Sequence, residues 1–355
     1  MDNTIDRCNK SVMLLDCTLR DGGAALEDEF NHSGKSYSME SIRSDVIRNL
    51  MLSDIDVIEM GILEPDGDKK RDFSYYGSME SIAKDIPNEK KSGQMFVVGK
   101  TMKESELQYI PDRKEWCCDG IRTFLLYSEL KKSLEWSMEL SKRGYAIFLQ
   151  NQLTMRYTDD DLRMMAEAAN EMDAFAVYIV DTSGYMMPDD VVRISKLLDH
   201  ELKDSIRIGF HGHNNINMAF ANTIAFLEQK MNHLKMVDSC LMGMGRGGGN
   251  TQSEILIPYI NEHMNANYNY DGILDACEYI EPFYDTNFTG YSELNVLASI
   301  HKTTAYYTVA LREKYHYSFS EINKILSVMP AEYRHRYTQD NLMRLIRIYN
   351  EGAKS

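Results

Sequence analysis

Short runs rich in apolar and β-branched residues recur along the chain, each followed by a stretch whose apolar positions repeat at helical spacing. The runs predict strands over 12–19, 57–62, 95–99, 121–127, 146–150, 175–181, 206–213 and 236–242. The amphipathic stretches predict helices over 39–52, 131–143, 159–170, 189–198, 216–229 and 252–263. Pro188, followed by Asp189 and Asp190, reads as a helix start, because acidic side chains are favourable at the positive end of the helix dipole. Gly144, after Lys142 and Arg143, reads as a stop. Strands that alternate with helices over about 250 residues have the count and length of a closed (β/α)8 barrel, an α/β fold of the TIM type. An open doubly wound sheet shows the same alternation locally and is the alternative. After residue 268 strand signals stop. The expected organisation is a catalytic barrel over 1–268 and a Tyr-rich helical region over 269–355, punctuated by Pro282 and Pro330.

Composition narrows the functions open to such a barrel. The 355 residues include 39 Lys and Arg against 54 Asp and Glu, a net charge of −15. That surplus speaks against a sequence-tolerant nucleic-acid binder and against adhesion to an anionic membrane. It leaves a small anionic substrate open, since one arginine or metal ion can reverse the field within a cleft. No apolar run approaches the ~18 residues of a membrane span, and the reading expects no secretory signal. The six cysteines form no C-x-x-C pair, and Cys117 and Cys118 are adjacent. Reduced thiols in a cytoplasm are expected.

Three motifs fall at the C-terminal ends of predicted strands, where barrel enzymes carry their chemistry. D-C-T-L-R-D-G-G, Asp16 to Gly23, closes the first strand; H-G-H-N, His211 to Asn214, closes the seventh; G-M-G-R-G-G-G-N, Gly243 to Asn250, follows the eighth. Residues i and i+2 of a strand share a face, so His211 and His213 converge on one point as a pair of metal ligands. In a closed barrel the eighth strand neighbours the first, which brings Asp21 to them. Two imidazoles and a carboxylate suit a divalent ion, with Mn2+, Mg2+, Zn2+ and Co2+ all open. Arg20 beside that ion would hold a carboxylate or stabilise an enolate, and Asp16 could orient a neighbouring group. The glycine motif satisfies G-x-G-x-x-G, but it follows the last strand and opens no βαβ unit, so a dinucleotide site is rejected. Its glycines instead allow close backbone approach, with Asn250 near the metal. Arg246 is either an anion contact or a solvated loop residue.

Together these motifs resemble the DRE-TIM metallolyases (HMGL-like), the superfamily of isopropylmalate and homocitrate synthases, hydroxymethylglutaryl-CoA lyase and 4-hydroxy-2-oxovalerate aldolase. The likeness covers residues 11–265. It implies Asp21, His211 and His213 as metal ligands, Asn250 at or next to the metal, and Arg20 as the arginine that stabilises the enolate. I-V-D-T-S-G, Ile179 to Gly184, resembles the family's D-[ST]-x-G turn, and I-E-M-G its second-strand motif, which adds Thr182 and Glu59 as substrate-side residues. Gly22, Gly23 and Ala24 stand where the CoA-using members carry a glutamine, and the tail T-G-Y-S resembles the aldolase tail. The resemblance therefore implies an aldolase acting on a small 2-oxo acid, with Tyr291 as the tail tyrosine that reaches the active site. The hydroxyoxovalerate aldolases place a histidine base where this chain has Ala24, so the base is open among Glu29, His32 and Tyr291. A Claisen-type acyl-CoA:2-oxo acid acyltransferase, or a lyase like that for HMG-CoA, is the alternative, and a non-catalytic interaction platform is a third. The helical tail suggests a homodimer or higher homo-oligomer, and a partner dehydrogenase is left open.

Overall fold

A computed structural model describes residues 12–25, 39–65, 73–101, 103–114, 117–283 and 290–352. Glu29 and His32 lie outside the described residues. The described residues form nine strands: β1 Val12–Asp16, β2 Val57–Leu63, β3 Tyr75–Tyr76, β4 Met95–Thr101, β5 Gly120–Phe124, β6 Ala146–Asn151, β7 Ala176–Asp181, β8 Arg207–Gly212 and β9 Lys235–Ser239. All pairings are parallel in the order β1-β9-β8-β7-β6-β5-β4-β2, and β1 also pairs with β2, which closes the ring. The two-residue β3 adds to the outside of β2. The closed (β/α)8 barrel expected from the alternation is thus present, and the open sheet is excluded.

The strands read as continuous apolar runs because both faces are covered. Every residue of β1, β5, β7 and β8 is buried, as expected of a parallel sheet wrapped by helices. The helices follow their local signals. Thr158 and Asp161 cap each other's backbone N–H groups, at 3.1 and 2.9 Å, to start the Asp159–Glu171 helix. Pro188 occupies the first turn of the Pro188–Glu201 helix. Gly144 follows the Leu130–Lys142 helix at φ 91°, a left-handed conformation that favours glycine.

Where the structure departs from the sequence pattern, the rim is the cause. The first strand stops at Asp16, and Thr18–Gly22 winds into a wide π-type turn. The helix expected from 216 begins only at Ala219, because Asn217 takes φ 59° and the Asn214 side chain accepts from Ala219 N at 3.1 Å. The described residues form two apolar cores. The barrel's core runs from Val12 to Ile280 and takes in the Tyr270–Ile280 helix; the second, from Tyr307 to Ile346, belongs to the tail. Among the described residues no helix is long and apolar enough to cross a membrane.

Candidate metal centre at the barrel rim

The site begins where β1 ends. Asp16 accepts from Thr18 N at 2.9 Å and from its hydroxyl at 3.0 Å, and that hydroxyl accepts from Leu241 N at 2.9 Å. The Asp16 carboxylate thereby ties the first motif to the glycine motif. Cys17 O accepts from Arg20 N, Asp21 N and Gly22 N at 3.2, 2.9 and 3.5 Å. This wide turn, a form that recurs at functional positions, leaves Arg20 and Asp21 buried at the barrel mouth.

β9 pairs with β1 and β8 lies one strand further round the ring, so the histidines at the end of β8 meet Asp21 across β9. His211 Nε2 lies 3.2 Å from His213 Nε2, and Asp21 Oδ2 lies 3.9 and 3.5 Å from those two nitrogens. The three ligand atoms fall within 4.8 Å of one another, all on buried residues. An N–N separation of 3.2 Å is what two bonds of about 2.1 Å to a shared ion would leave. An antiparallel bridge between His213 and Asn250 brings in the amide. Asn250 Nδ2 donates to Asp21 Oδ2 and to Met244 O, both at 2.8 Å. Its Oδ1 is buried with no partner among the described residues, and so is free to ligate. Gly245 makes this packing feasible: a Cβ there would stand 2.2 Å from Asn250 Nδ2 and 3.3 Å from Asp21 Oδ2.

The electrostatics suit a cation. Burial pushes Asp21 up, but the Arg20 guanidinium and the two imidazoles hold it well below the usual carboxylate range. Burial pulls His213 down to about 4, leaving it neutral with a free lone pair. Burial acts on His211 in the same sense, but hydrogen bonding to Asp238 and Cys17 overrides it and raises the ring to about 9. An incoming divalent ion must displace that proton, as ligand deprotonation generally requires. A mixed nitrogen and oxygen set of this kind, with an orphaned amide oxygen beside it, fits a divalent ion.

Arg20 is aimed from two sides. NH1 contacts Asp21 Oδ1 at 3.0 Å, Nε donates to Glu59 Oε2 at 2.9 Å, and the guanidinium lies 5.4 Å from the Phe124 ring centroid. Glu59 is wholly buried beneath it. Thr182 directly follows β7, and its hydroxyl accepts from Leu153 N at 2.7 Å. Tyr291 is 63% exposed and hydrogen-bonds to none of Arg20, Asp21, His211 and His213. Its segment is nonetheless moored at the rim, since Gly290 N donates to Gly247 O at 3.1 Å. Arg246 is exposed, and Ala24 is buried with no group able to take a proton.

Two buried residues escaped the motif reading. Asp238 accepts from His211 Nδ1 at 2.8 Å, which turns Nε2 toward Asp21. Arg122 on β5 contacts both Glu59 and Asp238. Their signal in the sequence was a charged residue within a buried strand, Arg122 in G-I-R-T-F and Asp238 in K-M-V-D-S.

The HMGL-like family model matches residues 128–280. A 4-hydroxy-2-oxovalerate aldolase of Thermomicrobium roseum is 39% identical over 120 residues, 33% of this chain and 32% of that protein. One from Geobacillus genomosp. 3 is 26% identical over 283 residues, 78% of this chain and 79% of the relative. The chain thus spans about a third of the first curated relatives it matches at the higher identities. Among solved structures, the N-terminal domain of a putative aldolase from Bacteroides vulgatus superposes with a TM-score of 0.70 at 19% identity, covering 87% of this chain and 98% of that one, which establishes the shared barrel fold. Over residues 128–280 the chain carries an HMGL-like domain.

Proposed function

We propose that the chain is a divalent-metal-dependent aldolase, a carbon–carbon lyase that cleaves or forms a 4-hydroxy-2-oxo acid through a pyruvate-type enolate. The observation that carries the reading is the convergence of Asp21 Oδ2, His211 Nε2 and His213 Nε2 on one buried point, with the Arg20 guanidinium alongside. The names of the relatives from Thermomicrobium roseum and Geobacillus support the same reading. A divalent ion held by Asp21, His211, His213 and Asn250, with Mn2+ or Mg2+ favoured over Zn2+ or Co2+, would supply Lewis-acid polarisation of a 2-oxo acid.

The protein's own groups account for the rest. Arg20, held by Glu59 and Asp21, offers its remaining N–H groups to the negative charge that develops on the pyruvate fragment. Thr182 can donate its O–H to the bound acid. Glu59, expected at the substrate, is assigned instead to orienting Arg20, since it is wholly buried and its Oε2 accepts from two guanidiniums. Loss of the C4 hydroxyl proton lets the C3–C4 electron pair pass to the pyruvate fragment, giving an enolate and an aldehyde. Tyr291, on the segment moored to Gly247, is assigned to the C4 end of the substrate. The same reading places the enzyme in a cytoplasm as a homodimer or larger homo-oligomer. The tail offers apolar surface for that assembly at Ile300, Tyr306 and Val328, and sedimentation velocity checks it.

The direct test is pyruvate release, coupled to lactate dehydrogenase, across a panel of 4-hydroxy-2-oxo acids with added Mn2+. Pyruvate from at least one acid is the expected result, and none from any overturns the reading. Free thiol released from acetyl-CoA in the presence of 2-oxo acids would transfer the site to the acyl-CoA alternative.

A further inference from the structure

Beneath the rim, two carboxylates with separate tasks are held by one side chain. Glu59 Oε2 accepts both from Arg20 Nε at 2.9 Å and from Arg122 NH1 at 2.5 Å. Asp238 Oδ2 accepts both from His211 Nδ1 at 2.8 Å and from Arg122 NH2 at 2.5 Å. Arg122 is fully buried at the middle of β5. Its guanidinium stacks 4.7 Å from the Tyr178 ring centroid, and Gln150, turned so that its oxygen faces the guanidinium, accepts from Nε at 3.0 Å. Gly209 leaves room for the Tyr178 ring, since a Cβ there would stand 2.6 Å from its atoms.

We infer that Arg122 is a positioning residue that sets the aim of two active-site groups at once, Arg20 through Glu59 and His211 through Asp238. A guanidinium presents its donors in a rigid planar fork, so the two carboxylates it contacts have a fixed separation and orientation. Each carboxylate has one oxygen shared between Arg122 and a rim residue, and its other oxygen, Glu59 Oε1 or Asp238 Oδ1, lacks a partner among the described residues. The aim of each rim group therefore depends on where Arg122 holds the shared oxygen. A lysine would keep the charge but not the fork, and could satisfy only one arm well. A purely structural buried ion pair would predict lost stability without a selective change at the metal or at Arg20.

The kinetic part of the inference rests on the aldolase reading; the metal-binding part does not. The experiment compares full-length wild type and Arg122→Lys by Mn2+ titration with electron paramagnetic resonance, by kcat and KM for pyruvate release, and by Tm. A folded Arg122→Lys should bind Mn2+ about 10-fold more weakly and lose about 10- to 100-fold in kcat, as disturbed outer-shell partners do, with KM little changed. Unchanged Mn2+ affinity and kcat in the folded variant would overturn the inference. Should Arg122→Lys fail to fold, Glu59→Gln, Asp238→Asn and their combination decide. If Arg122 joins the two arms, the losses in the double variant fall short of the product of the single losses; simple multiplication overturns it. A wild type that releases no pyruvate, alongside weakened Mn2+ binding in Arg122→Lys, would sink the aldolase reading and leave the positioning role standing.

Discussion

The barrel and the helical tail bury apolar surface by different means. In the barrel, whole strands such as Ala176–Asp181 are covered on both faces, and charges in the interior occur as linked sets: Arg20 with Glu59, Arg122 with Glu59 and Asp238. In the tail, the core is one face of each amphipathic helix, with Ile322, Ile325 and Leu326 from one and Leu342, Leu345 and Ile346 from another. An ion pair there, Arg344–Asp340, joins neighbouring turns on the exposed side of the second of these helices. A parallel sheet aligns the ends of strands that are remote in sequence, so one rim collects Asp21, His211 and Asn250. Helices joined by short connections gather near neighbours. Chemistry therefore concentrates in the barrel, and among the described residues the tail's contacts with it include Gly290 N to Gly247 O, the Ser299 hydroxyl to Ser183 O at 2.8 Å, and Lys302 Nζ at 5.7 Å from the Tyr185 ring centroid.

The sharpest way to break this contrast is at the metal centre. Asp21→Asn removes the one anionic ligand and leaves the fold's apolar core untouched, so Mn2+ binding by titration and pyruvate release should both be lost while Tm changes little. Retained Mn2+ affinity would remove the barrel rim from its role. Arg20→Lys keeps a positive charge but not the fork that contacts Asp21 and Glu59; kcat should fall by about 10²- to 10³-fold, the cost of losing a preorganised electrostatic group. Mn2+ affinity should change far less, which steady-state kinetics and titration together resolve.

The tail is expected to respond in the opposite order. Tyr291→Phe should lower kcat by about 10-fold, toward the weaker end of what a proton-transfer or hydrogen-bonding group contributes. No change in kcat or KM would reduce the tail to a purely architectural element. Leu342→Ala, in the middle of the tail core, should destabilise by about 2–5 kcal/mol as buried leucine truncations do. Differential scanning calorimetry should show that loss in the tail, with turnover at a permissive temperature unchanged. A comparable fall in kcat would show that the two regions work as one unit.

The barrel was legible in the chain because its strands are short, largely apolar runs that alternate with amphipathic helices, and the capping box at Thr158 and the stop at Gly144 are local events. The ligands were legible for a related reason: His211 and His213 share a strand face by spacing alone, and Asp21 becomes their neighbour once the barrel is closed. The turn at Thr18–Gly22 was not legible, because the apolar pattern continues through Leu19 while the rim contacts of Asp16 and Thr18 end the strand. Arg122 and Asp238 were missed because a charged residue within a buried strand has no motif. Its meaning lies in the partner on another strand.

By itself the amino-acid sequence determined the order of strands and helices, the motif residues, and through strand periodicity the direction in which two imidazoles point. Tertiary structure alone decided which charges meet. It showed Glu59 beneath Arg20, and Asp238 behind His211. It also showed the Asn250 amide donating to Asp21 while its oxygen has no partner among the described residues, and Tyr291 exposed on a segment moored to the glycine loop. Periodicity is a property of one segment, readable from its own residues. The pairing of buried charges depends on ring closure and register between strands, where a one-residue shift would turn each side chain to the other face.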